Sequence, residues 1–240
     1  MVNSDQTWRK WPYFYDIAFL YFAKDWKIKK FIYGASLGYS KWKFNRADEN
    51  IAKKCLQSFK GISVREKSAI NLIQKNLGFK ATFVLDPTFL INEKYYLNLI
   101  NTYTDKNFIN KNYIFVYFFS GDKKIKKFIQ ASTKKLNYEA FTVKKGHKDS
   151  VLTFLYGIYH CKAVITNSYH GTVFSIIFRK PFVSFFTKED LNDRFNSLGE
   201  TFNIKNRFIK NDQSPDINLL TTPLNINENV MNYLKFKSID

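Results

Sequence analysis

The residues best placed to do chemistry lie in the stretch 163–178, which reads AVITNSYHGTVFSIIF. The run Ala163–Thr166 is apolar and β-branched, as in a buried parallel strand, and the run after Gly171 reads as a helix. Asn167, Ser168, Tyr169 and His170 join them. A strand that passes straight into a helix through polar residues and glycine forms the ligand-binding corner of doubly wound α/β domains. Unpaired N–H groups and the positive end of the helix dipole suit an anion there, and an imidazole can exchange a proton near pH 7. His170 is therefore a candidate acid or base, with turn capping or packing as the plain alternative. Arg65, in Ser63-Val64-Arg65-Glu66, offers a guanidinium fork where a strand meets a helix. Such a fork fits carboxylate or phosphate; the alternative is a surface pair with Glu66 or an aspartate. Asp86, followed by Pro87 and Thr88, puts a carboxylate at a strand terminus, as a site group or a simple cap. Walker-type and dinucleotide-type glycine loops are absent from the sequence, and it defines no Ser-His-Asp order.

Alternating strand and helix patterns position these residues. Strands are expected at 31–36, 62–66 and 81–85, with helices at 47–59, ended by Gly61, and at 68–77, ended by Gly78. A polar stretch at 101–111 reads as a linker. Beyond it the pattern restarts with strands at 113–119, 140–143, 163–166 and 182–186, and helices at 123–136, 150–160, 190–199 and 227–235. The pattern predicts an α/β protein of two Rossmann-like domains, 1–104 and 105–240, facing one another across a cleft. The first set looks incomplete at its N-terminal side, as if a strand and its turn preceded Met1.

The 240 residues, 45% of them hydrophobic, can build packed cores and are not those of a disordered chain. The net charge of +18 would suit nucleic acid, an anionic membrane surface or phosphorylated substrates. Most of the excess is scattered lysine, and Lys123, Lys124, Lys126 and Lys127 fall on what reads as a solvated helix face. No zinc-finger, RNP-type or helix-turn-helix signature accompanies the charge, so a nucleic-acid partner is not expected. Cys55 and Cys161 lie in helical patterns, lack metal-ligand spacing and read as reduced buried thiols of a cytoplasmic protein. His147, His160 and His170 form no metal cluster with them. The opening residues do not read as a signal peptide, and no run approaches the roughly 20 apolar residues of a membrane span. Any membrane contact would be peripheral.

Six short motifs, in order and at similar spacing, resemble the polysaccharide pyruvyl transferase family. They are Asn3-Ser4-Asp5-Gln6-Thr7-Trp8, Tyr33-Gly34-Ala35-Ser36-Leu37-Gly38, Ser63-Val64-Arg65-Glu66, Asp86-Pro87-Thr88, Thr166-Asn167-Ser168-Tyr169-His170-Gly171 and Asp193-Arg194. The resemblance runs from about Val2 to about Arg207 and departs at Asn3, where the family commonly has glycine. It implies a glycosyltransferase-B-like architecture with the site in the cleft, and a first domain truncated at its N-terminus. It also implies transfer of a pyruvyl group from phosphoenolpyruvate to a sugar of a cell-envelope polysaccharide or its lipid-linked precursor, as a ketal. Catalytic roles would fall to His170 and Arg65. Arg194, Ser168, Gly171, Asp5 and Gln6 would bind substrate. Neither metal nor cofactor is required, phosphoenolpyruvate being the donor substrate. The expected location is the cytoplasm, at the inner face of the membrane if the acceptor is lipid-linked. The competing readings are a nucleotide-sugar-dependent glycosyltransferase on the same plan and a non-catalytic remnant that binds sugar or a membrane surface.

Overall fold

The structure, a computed structural model, describes residues 6–9, 18–102, 112–118, 123–143, 151–186 and 193–237. Strands and helices alternate, and the strand pairings among these residues are parallel. This is the Rossmann-like α/β pattern expected from the sequence. The described residues group into two units. One holds those within Met1–Leu90, Lys188–Thr201 and Asn229–Asp240, the other those within Ile91–Thr187 and Phe202–Glu228.

The first unit carries a parallel sheet in the order β1 (Lys30–Ala35), β2 (Phe59–Val64), β3 (Thr82–Phe83). Helix α1 (Arg46–Leu56) links β1 to β2, and α2 (Lys67–Leu77) links β2 to β3. A capping box opens α1: Asp48 N–H donates to Asn45 Oδ1 and Asn45 N–H to Asp48 Oδ2, both at 2.9 Å. The helix stops at Leu56, short of the expected 59, because Ser58 turns back and bonds Cys55 O through its N–H and its hydroxyl. Gly61 does not break a helix; it lies inside β2, where an added Cβ would stand 3.4 Å from the Phe31 ring of β1. Gly78 does end α2, at φ 83°, with its N–H on Ile73 O and Gln74 O. Ile32, Ala35 and Val64 of the strands pack with Ala52, Leu56, Ala69, Ile73 and Leu77 of the helices. Trp8 joins this core, its indole N–H donating to Ala18 O at 3.0 Å and its backbone N–H to Ser36 O.

The second unit opens with α3 (Glu93–Asn101), a helix absent from the sequence reading and capped by the Asn92 side chain. Then come β4 (Tyr113–Tyr117), α4 (Lys123–Leu136), β5 (Glu139–Thr142), α5 (Val151–His160), β6 (Ala163–Thr166), α6 (Tyr169–Ile177), β7 (Phe182–Phe186) and β8 (Phe208–Lys210). The sheet order is β5-β4-β6-β7-β8. β6 is central and buried along its whole length, as a run of β-branched residues requires. Ile114, Val116, Ala163, Ile165, Val183 and Phe185 form one face of the core with Ile125 and Leu220. Cys55 lies in α1; Cys161 lies one residue past α5 rather than in it, its thiol on Ile158 O. Both are free and buried, and burial pushes the Cys161 thiol up to about 12. Helix α7 (Asp193–Thr201) follows β7 in sequence yet belongs to the first unit, and α8 (Glu228–Lys237) ends the described chain.

Arg207, which the sequence did not single out, ties the end of the second sheet together. It is buried, and its guanidinium donates to Leu219 O (2.8 Å), Thr222 O (2.9 Å), Pro223 O (3.2 Å) and Phe182 O (3.3 Å). Neutral carbonyls rather than a carboxylate hold this charge, and burial lowers its pKa from the ordinary arginine value. Arg207→Met should leave these carbonyls without their donor and destabilise the protein by about 2–4 kcal/mol in denaturant unfolding. A loss below about 0.5 kcal/mol would show that water or a shifted loop replaces the guanidinium.

Candidate functional site

Numbered from β4, the strand order of the second sheet is 2-1-3-4-5, so the chain reverses direction across the sheet between β4 and β6. Ligands of open α/β sheets bind beyond the carboxyl ends of the strands at such a switch point. The corner between β6 and α6 lies there. Thr166 Oγ1 donates to Tyr117 O at the end of β4 (2.7 Å) and accepts from Ser168 N–H (3.0 Å). Asn167 N–H reaches the same Tyr117 carbonyl. Ser168 is the N-cap of α6, its Oγ accepting from Gly171 N–H at 3.3 Å. Gly171 is required by space: a Cβ there would stand 2.5 Å from Thr166 Oγ1. Thr172 holds the helix to the next strand through Ser184 Oγ at 2.8 Å. His170 sits in the first turn of α6, half-buried, with the buried Tyr169 ring edge-on to its imidazole at 5.7 Å between centroids. Among the sequence-predicted groups, Ser168, His170 and Gly171 thus share one corner, where Ser168 caps and Gly171 permits close packing.

The carboxyl ends of the first sheet carry charges instead of hydroxyls. Arg65 follows β2 directly; its side chain is fully buried and paired with Asp86 at 2.5 Å. The other Asp86 oxygen accepts from Thr88 N–H (3.1 Å) and Thr88 Oγ1 (2.8 Å), so Asp86 both caps the turn at Pro87 and neutralises Arg65. This buried pair replaces the surface pair weighed from the sequence. Glu66, at the N-cap of α2, is buried, and Ser36 Oγ at the end of β1 donates to its Oε1. Glu66 Oε2 and Asp193 Oδ2 are buried with no hydrogen bond among the described residues. Burial pushes the Glu66 carboxyl up, more than Ser36, Arg65 and Arg194 pull it down, and Asp193 adds to the rise. Burial likewise raises Asp193, with Glu200 contributing. Helix α7 brings Asp193 and Arg194 to this cluster and is fastened to α2 by Lys67 N–H on Ser197 Oγ at 3.0 Å. Arg194 is half-buried, its guanidinium 5.4 Å from the centre of the Phe195 ring.

The sequence did not assign Glu66 a role. The available signal was its place beside Arg65 at the same strand end, which puts opposite charges where a parallel sheet presents its loops. Gln6 accepts from Arg9 Nη1 at 3.2 Å and packs beside Gly38, where an added Cβ would stand 3.3 Å from its amide. Asp5 lies outside the described residues. Among the described residues no cluster of His, Cys, Asp or Glu is placed to hold a metal, and no helix is long and apolar enough to cross a membrane.

Parallel sheets with polar and charged groups gathered at their carboxyl ends define a Rossmann-like α/β protein, a class of fold whose ligands bind at the strand ends. A family model described as polysaccharide pyruvyl transferase matches residues 1–186, and the chain belongs to that family of transferases. A search of curated proteins found no match.

Two outcomes follow for the charged corner. Asp86→Ala strands a buried guanidinium and should cost about 3–5 kcal/mol in chemical denaturation, with Arg65→Met, Asp86→Met together recovering much of it. If Asp86→Ala alone is neutral, Arg65 is not dependent on this pair. Because Glu66 is raised in the folded state, its contribution is full below its ordinary value of 4.5 and is lost as pH rises through the raised value. The stability advantage of Glu66→Gln over wild type should therefore grow with pH from 4.5 up to the raised value, by up to about 1.4 kcal/mol per pH unit, and level off above it. A difference independent of pH would mean that Glu66 titrates as it does in the unfolded chain.

Proposed function

We propose that the chain transfers a pyruvyl group from phosphoenolpyruvate to two hydroxyls of a sugar in a polysaccharide or its lipid-linked precursor. The observation that carries this reading is the Ser-Tyr-His-Gly corner at the switch point of a chain belonging to the pyruvyl transferase family. A sugar hydroxyl bonds to the donor's central carbon and gives up its proton to solvent, while the methylene carbon takes a proton from the acid and becomes methyl. Phosphate then leaves, and the second hydroxyl closes the ketal as it loses its proton. His170 is the proposed acid for the methylene carbon. The donor's carboxylate and phosphate need cations and N–H donors, which the α6 terminus, Arg194 and Arg65 would supply. Arg65 is held by Asp86 in this structure, so its share in donor binding would depend on exchange with that carboxylate. The proposal includes a glycosyltransferase-B-like arrangement in which the Arg65 and His170 corners share one cleft. It also includes a cytoplasmic site of action, at the membrane for a lipid-linked acceptor, and a scheme that requires neither metal nor cofactor.

Thermal shift and phosphate release test it. Phosphoenolpyruvate should raise the melting temperature where nucleotide-sugars do not. His170→Gln should lower phosphate release with a glycan acceptor by about 10²–10⁴-fold while keeping the donor-induced shift. Arg194→Lys should reduce the shift itself, since a point charge replaces a fork. Stabilisation by nucleotide-sugars and not by phosphoenolpyruvate would overturn the reading in favour of glycosyl transfer. Unchanged turnover in His170→Gln would remove that residue from the chemistry.

A further inference from the structure

We propose that the segment 21–31 of the first unit is a docking surface for an anionic lipid bilayer, an inference independent of the pyruvyl-transfer reading. The segment exposes large apolar side chains in close succession: Phe22 (59%), Trp26 (56%), Ile28 (54%) and Phe31 (45%), with Tyr21 beside them (37%). Exposed apolar groups gathered in this way mark an interaction surface. Lysines interleave with them: Lys24, Lys27 and Lys29 are exposed, and the segment's acidic residue, Asp25, is offset by Lys24 at 3.4 Å.

The loop is held in shape rather than free. A single 3-10 turn, Tyr21–Ala23, follows Leu20 in a left-handed conformation, φ 48°. Trp26 N–H donates to Ala23 O (3.1 Å) and Ile28 N–H to Trp26 O (2.9 Å). Lys30, at the start of β1, is buried and sends its ammonium inward to Lys24 O (3.0 Å), pinning the loop to the sheet. The Phe22 and Trp26 rings meet edge-on at 5.7 Å, and the Lys24 ammonium lies 4.8 Å from the centre of the Tyr21 ring. The result is a loop held in shape that exposes aromatic and aliphatic side chains with lysines interleaved along it.

That chemistry matches the bilayer interface. Trp and Tyr favour headgroup depth, Phe and Ile reach the acyl boundary, and lysine is drawn to anionic headgroups. A second copy of the chain fits less well, because a two-fold contact through this face would set Lys24, Lys27 and Lys29 against their own duplicates. A nucleic acid would use the lysines and the rings but offers nothing to Ile28.

Co-sedimentation of the full chain with vesicles decides. Equimolar phosphatidylcholine and phosphatidylglycerol vesicles should bind it, and pure phosphatidylcholine vesicles at least about tenfold more weakly, the lysines contributing about fivefold each near the surface. Phe22→Ser with Trp26→Ser, and separately Lys24→Glu with Lys27→Glu and Lys29→Glu, should each lower binding at least about tenfold while the melting temperature stays near that of wild type. No binding by the wild type, or binding unaltered in both variants, would overturn the proposal. So would a concentration-dependent dimer that the Phe22, Trp26 variant dissolves, which would assign the face to a second copy.

Discussion

The hydroxyl of Thr166 is the contact on which the second unit's candidate site depends. It donates to the last carbonyl of β4 and accepts the N–H of Ser168, so one side chain joins the switch-point strands and starts the turn into α6. The same hydroxyl lies where a side chain on residue 171 would have to go, which accounts for glycine in the middle of the motif. Ser168 then caps the helix, and His170 follows in its first turn. A hydroxyl can both donate and accept, and is small enough to let α6 close on the strand. The imidazole is therefore placed by a frame of hydroxyls and a glycine.

The first unit solves the same geometric problem with charges. Strand ends that bring Arg65, Glu66 and Asp86 together must satisfy them where water is excluded. Arg65 and Asp86 do so by pairing, and Thr88 takes up the remaining Asp86 oxygen. Such a pair adds little net stability but makes removal of either partner costly. Glu66 is only half satisfied by Ser36, and it is pushed toward its neutral form by burial with Asp193 nearby. Burial and a like charge nearby are how protein sites raise a carboxyl toward its neutral form, and the half-buried Arg194 acts on Glu66 in the opposite direction.

The second sheet was legible at β6 and β7, whose runs are rich in apolar residues, and at α4, which has a clear apolar stripe between lysines; these stand where the pattern placed them, whereas the three-residue β8 was not expected. Local ambiguity defeated the reading elsewhere. Gly61 looked like a helix breaker because one sequence cannot show Phe31 lying over it from the neighbouring strand. Phe59 continued the helical spacing of α1, yet Ser58 ended the helix first. Helix α3 was hidden by a short run with Asn at both its cap and its end. Membership of α7 in the first unit was out of reach, because the Lys67–Ser197 bond that fastens it spans 130 positions. At the candidate site the residue types were legible, but the burial of Arg65 against Asp86 depends on three-dimensional closeness.

The same distinction resolves the chain's large positive charge. Buried cations among the described residues have individual partners of different kinds: Lys30 a backbone carbonyl and a serine hydroxyl, Arg207 several carbonyls, Arg65 a carboxylate. These individual pairings would be the same at any net charge. Lys123, Lys124, Lys126 and Lys127 are exposed around the buried Ile125, a solvated helix face as their spacing indicates. Net charge alone therefore identifies no ligand. What separates Lys24, Lys27 and Lys29 from the scattered lysines is the set of exposed aromatic and aliphatic tips among them, since charge sets attraction to an anionic surface and only apolar area sets depth of insertion. The informative property of this basic chain is which of its cations stand beside exposed apolar surface and which stand at the end of a parallel strand.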